Sequence, residues 1–139
     1  MRFLFIFLVI LNIFGCTSVT VKPVSPKEKI TSICIENNDT VIVDGFIMVL
    51  RDAISRHNIS SKVVEKNTSK DCEYVLTYDA NQGWDFVLYL RQADVHLEKN
   101  GMIVGSAEYH HYGGFDFSKY ASTKSKMDPV MDQLLANIK

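Results

Sequence analysis

Little in this chain points to chemistry. Its 139 residues include one tryptophan, three prolines and seven glycines. The glycines form neither a phosphate-cradling loop nor a dinucleotide fingerprint. Charge of one sign is not in excess, since 15 Lys and Arg stand against 16 Asp and Glu. Such a balance offers no basic field, so nucleic acid is not an expected partner. Neither Cys34 nor Cys72 has neighbours at metal-ligand spacing, and no metal or other cofactor is expected. No apolar run reaches the roughly 20 residues that span hydrocarbon. Internal repeats and low-complexity tracts are lacking too.

What is present begins at the N-terminus. Arg2 supplies a positive start, residues 3–11 are unbroken apolar sequence, and Asn12-Ile13-Phe14-Gly15-Cys16 closes the run. That order is the pattern of a secretory signal peptide, yet bulky Ile13 and Phe14 exclude the usual small-x-small cleavage site. Ile13-Phe14-Gly15-Cys16 instead resembles a bacterial lipobox, with Phe14 a less usual middle residue. The resemblance implies cleavage before Cys16, lipids on that cysteine and attachment to a membrane. The alternative is an uncleaved anchor. Residues 1–15 are then the signal, 16–29 the lipidated cysteine with an extended tether, and 30–139 a single domain. Pro23 and Pro26 among Ser, Thr and Lys suggest the tether; a brief edge strand through Val19 and Val21 is the other reading. Losing residues 1–15 of 139 leaves 124, enough to bury about two-thirds of the unfolded surface.

Export makes the cysteines informative. With Cys16 taken by lipid, Cys34 and Cys72 remain as an even pair in an oxidising compartment. A bridge between them is worth at most about 4 kcal/mol by chain-entropy reasoning. Two buried free thiols are the alternative.

The elements follow from periodicity. Ile33 and Ile35 alternate with Cys34 in a first strand over residues 30–36. Asp44 is the expected cap of a helix over residues 45–57, where Phe46, Ile47, Leu50, Ala53 and Ile54 recur at helical spacing. Asn58 should end it in the left-handed region. Strands are expected at 62–65 and 73–81, the second central because both its faces carry apolar residues. Gln82-Gly83-Trp84-Asp85 reads as an interruption, with residues 86–89 extended. Asn100-Gly101 joins strands 91–99 and 102–112 as a two-residue hairpin turn. Pairing Leu97 with Val104 leaves Ala107 and Tyr109 out of phase, so a bulge is expected at Gly105-Ser106. Residues 113–125 read as an aromatic loop, and Asp128-Pro129 as the cap and first position of a last helix. Its apolar stripe is Val130, Met131, Leu134, Leu135 and Ile138. The fold class is therefore α+β: two layers, a mainly antiparallel sheet with two helices packed on one face.

Candidate chemistry is thin. His110 and His111 are adjacent strand residues and point to opposite faces, so they do not readily share a metal. Gly105-Ser106-Ala107 lacks the setting of a nucleophile elbow. Asp79, Asp85, Asp94 and Asp116 have no fixed separation and read as solvated carboxylates. No enzyme activity is expected. Trp84, Phe86, Tyr89, Tyr112, Phe115, Phe117 and Tyr120 cluster in two stretches read as loops, a composition that suits a contact patch. Folding back over the sheet or the helix ends would be their structural role. Lys119, Lys124 and Lys126 read as a solvated positive run.

Several segments resemble a family of small Gram-negative lipoproteins without assigned activity. The resemblance rests on residues 72–78 (Cys-Glu-Tyr-Val-Leu-Thr-Tyr), on Ala107-Glu108-Tyr109-His110, and on residues 123–137 with Met127-Asp128-Pro129-Val130. It implies export, lipidation and the Cys34/Cys72 pair. Thr17, standing after Cys16 where an aspartate would favour inner-membrane retention, implies the outer membrane with the domain facing the periplasm. The functional expectation is a non-catalytic envelope lipoprotein that binds another envelope protein. The alternative is a periplasmic small-ligand or peptidoglycan-binding domain with its cleft beside Trp84.

Overall fold

The computed structural model describes residues 17–114 and 116–138. Cys16 and Phe115 lie outside the described residues. Six strands and two helices make an α+β domain: β1 (Thr17–Lys22), β2 (Ser32–Glu36), α1 (Phe46–Arg56), β3 (Ser60–Val64), β4 (Tyr74–Asp85), β5 (Val87–Lys99), β6 (Met102–His111) and α2 (Thr123–Leu134). Short 3-10 turns lie at Ser69–Asp71 and Phe117–Tyr120. The sheet order is β1-β6-β5-β4-β2-β3. β2 runs parallel to both β3 and β4, and the other pairings are antiparallel.

Period-two alternation decides which side of the sheet is covered. Ile33, Ile35, Tyr74, Leu76, Tyr78, Val95, Leu97, Ala107 and Tyr109 are buried in one cluster with the helices. Phe46, Leu50, Ala53 and Ile54 come from α1, and Val130, Met131 and Leu134 from α2. Each fully buried aliphatic side chain of this kind stabilises the fold by about 1.5–3 kcal/mol. Among the described residues, the core runs from Val24 to Ile138. The two helices are joined by charge: Arg56 bonds Asp128 (3.1 Å) and Asp132 (3.0 Å), and Lys124 bonds Asp52 and Asp128.

The cysteine pair is bonded. Cys34 and Cys72 form a disulfide with Cα atoms 6.1 Å apart. Cys34 alternates with Ile33 and Ile35, so the bond lies on the sheet face away from the helices and holds the β3–β4 connection there.

Four local expectations are corrected. Residues 17–29 are not a tether: Thr17–Lys22 is an edge strand on β6, Val24 is buried, and its N–H donates to the Leu134 carbonyl at 2.9 Å. Glu28 accepts bonds from Lys99 (2.8 Å) and Tyr74 (2.6 Å), which hold its carboxyl below the usual range. Asp44 does not cap α1; Gly45 precedes it with φ 67° and no side-chain cap. Asp128-Pro129 does not open the last helix, because Ser122, well before Asp128, caps it by accepting from the Ser125 N–H at 3.1 Å. Pro129 sits inside α2. The bulge lies at Val104 rather than Gly105-Ser106, so Leu97 pairs with Gly105. Its purpose is as expected, since Ala107 and Tyr109 reach the core. Asn58 does take the left-handed conformation, with φ 60°.

Candidate functional site

β4 does not stop at Asn81. It runs to Asp85, turns at Phe86 and returns as β5, so the expected interruption is the outer half of a long hairpin. Gly83 permits the continuation, because the Tyr89 ring from the opposite strand occupies the space a side chain would fill. Arg91 is the extra residue where the register shifts, since Asn81 pairs with Gln92 and Gln82 with Leu90. Past that shift Trp84 pairs with Leu88 and Asp85 with Val87.

The hairpin end is apolar and open to solvent. Trp84 is 71% exposed, Phe86 86%, and Val87 and Leu88 just under 60%. The Trp84 and Phe86 rings lie 6.0 Å apart. Phe86 stands at the apex with φ 59°, a left-handed conformation that a bulky side chain rarely adopts. The segment after β6 braces this hairpin. Tyr120 donates its hydroxyl to the Asp85 carbonyl at 3.1 Å, and the Lys119 ammonium bonds the Asp85 carboxylate and the Gly114 carbonyl. The Asp85 contact holds the Lys119 pKa above its ordinary value.

The expected patch is only partly assembled. Trp84 and Phe86 are together and exposed, Phe117 is exposed on the bracing segment, and Tyr112 is exposed with its ring 4.1 Å from that of His110. Tyr89 instead turns inward, covering Gly83 and meeting the His111 ring edge-on at 5.7 Å. Trp84 projects on the hairpin; a polar cleft of about 420 Å³, lined by Asn38, Asp39, Glu65, Lys66, Thr77 and Tyr78, opens at Tyr78, six residues back along β4.

The positive run is not a solvated loop. Lys119 and Lys126 are buried and only Lys124 is exposed. Lys126 donates to the carbonyls of Leu90 (3.3 Å) and Lys119 and lies over the Tyr89 and Tyr109 rings. Burial lowers its pKa. His111 is buried beside it, with Nδ1 3.0 Å from the Thr17 hydroxyl and Nε2 without a partner among the described residues. Burial, then the Lys126 charge, pushes the His111 pKa down.

The histidines and carboxylates stay apart. His111 lies on the core face and His110 on the other. Asp116 accepts from Ser118, which lowers its pKa, and Asp85 is held by Lys119. Asp79 and Asp94 pair directly across β4 and β5, and Asp94 pairs with Glu108 on β6, so three carboxylates form one row on the face away from the helices. Sequence spacing alone could not show that row, because it depends on the registers of both strand pairings. Among the described residues no group of three His, Cys, Asp or Glu side chains is placed to hold a metal ion.

No family model matches this sequence, and no curated protein matches it either. Solved structures share the fold. PelC from Paraburkholderia phytofirmans, a dodecamer, superposes with a TM-score of 0.60 at 12% identity, over 88% of this chain and 98% of its own. A point variant of that dodecamer gives 0.57 at 11%, over 88% and 97%. A minor lipoprotein from Acinetobacter baumannii aligns at a TM-score of 0.33 and 13% identity, over 75% of this chain and 85% of that one, too low to carry an argument. At these identities the likeness to PelC is one of fold.

Proposed function

We propose that this protein is a non-catalytic envelope lipoprotein, held to the outer membrane through Cys16 and facing the periplasm, that works by assembling with protein. Further copies of the same chain are the first candidate partner. One observation carries the reading: the whole domain superposes on nearly the full length of PelC, which was solved as a dodecamer. The two outer strands of the sheet, β1 and β3, are short and lie at opposite edges. They leave one unpaired edge on each side of the sheet, two different surfaces on which head-to-tail neighbours can meet.

Native mass spectrometry of the chain from residue 17 onward tests this, together with crosslinking in intact envelopes. A closed multi-subunit species is expected, with copies crosslinked to one another in the envelope. A monomer at all concentrations, with no protein crosslinked in the envelope, would contradict the proposal.

A further inference from the structure

The sheet register brings the start of the chain and the apolar hairpin to one end of the molecule. Thr17 pairs with His111, and the adjacent His110 pairs with Gln92, where the β4–β5 ribbon leaves the sheet. From Gln82–Leu90 to Asp85–Val87 the ribbon strands pair only with each other. Those rungs and the apex carry Phe86 about 13 Å past the sheet edge. Cys16 is one peptide unit, about 3.8 Å between Cα atoms, from Thr17. A lipid on Cys16 therefore brings this end of the sheet, and no other, against the bilayer.

The chemistry of the ribbon suits that position. Asp85 is the one charged residue between Gln82 and Leu90, and Lys119 neutralises it. Four of the five positions from Trp84 to Leu88 expose large apolar side chains: Trp84, Phe86, Val87 and Leu88. Phe86 holds a strained left-handed backbone and is left largely exposed, so its own burial does not offset the strain. A soluble turn of this kind would use Gly or Asn. Tryptophan with aliphatic neighbours is the composition that sits at the boundary of headgroups and acyl chains.

We propose that the β4–β5 tip docks into the lipid surface to which Cys16 is attached, with Trp84, Phe86, Val87 and Leu88 entering the headgroup–acyl boundary. Phe117, on the bracing segment, flanks the site of insertion. This placement rests on Cys16 as the anchor. The docking is driven by apolar burial, not by charge, because the chain has no basic excess. It fixes the domain upright on the membrane, ribbon down.

Trp84 is the sole tryptophan, so its fluorescence reads the tip directly. The chain from residue 17, which keeps the whole core and has no Cys16, is mixed with phosphatidylethanolamine–phosphatidylglycerol vesicles. Trp84 emission is expected to shift to the blue, to be quenched by brominated acyl chains, and to keep both responses at high salt. Leu88→Asp, and Phe86→Asn, which the left-handed backbone tolerates, should each lower vesicle partitioning about tenfold or more. Met102→Asp, at the opposite end of the sheet, should leave it unchanged. A folded chain whose Trp84 emission ignores vesicles would overturn the proposal. So would protection of Trp84 that grows with protein concentration and needs no lipid, which would make the tip a protein contact. The first result does not bear on whether Cys16 is lipidated or whether copies assemble; the second supports assembly of copies while overturning the docking.

Discussion

Gly105 decides how closely β6 approaches the segment that follows β1. A Cβ there would stand 2.7 Å from Val24 Cγ2 and 3.0 Å from Leu134 Cδ1, both in the core. Gly105→Ala is therefore expected to destabilise the fold by about 1–3 kcal/mol, read as a lower urea midpoint at unchanged slope. The same residue shows what sequence could and could not supply. Its place in an apolar phase break announced a bulge, but the contact that requires glycine involves Val24 and Leu134, both distant in sequence. His111 gives a second prediction at this scale. Its folded pKa is depressed by burial and by Lys126. The unfolded chain then binds more protons near pH 6, so stability rises with pH through that range and falls as pH drops below the ordinary histidine value of about 6.5. Of the other charges near it, Asp116 opposes Lys126, while Lys119 and His110 act in the same direction as Lys126. His111→Gln should flatten the loss of thermal stability between pH 7 and pH 5; an unchanged slope would assign the effect to another group.

Elements differ in how much of themselves they write into sequence. α1 and the stripe of α2 were legible because apolar spacing at 3.6 residues is a local signal, and Asn100-Gly101 because both residues must take positive φ, here 51° and 78°. β1 was misread because its partner is the last strand, and two valines beside prolines carry no sign of that pairing. The start of α2 was misread because Asp-Pro is a stronger local signal than Ser122, which nonetheless makes the cap. The outer ribbon was missed because its apex residue is phenylalanine, where turn chemistry predicts glycine or asparagine. Of the expected patch, the exposed members Trp84, Phe86, Tyr112 and Phe117 could be named from composition; the inward turn of Tyr89 depends on Gly83 across the strand pair. The Cys34–Cys72 bond closes the β2–α1–β3 unit and its connection to β4. Replacing both cysteines by serine should lower unfolding stability by up to about 4 kcal/mol, and peptide mapping without reduction should recover the linked pair. Two free thiols in protein taken from the envelope would contradict the bond.

At the scale of the molecule, the fold separates its surfaces. One sheet face is covered by helices, the other carries the Asp79–Asp94–Glu108 row, and one end bears Thr17 together with the apolar ribbon. With the membrane at that end, the carboxylate row and both sheet edges stand free for protein. Among the described residues no helix is long and apolar enough to cross a membrane; lasting attachment in this account depends on a lipid at Cys16, with the ribbon tip as a second contact. The intact mass of the protein extracted from bacterial envelopes tests that dependence most directly. The account predicts a chain beginning at Cys16 and carrying the added mass of acyl chains and a glyceride on that residue. A chain that keeps residues 1–15, or begins at an unmodified Cys16, would contradict it.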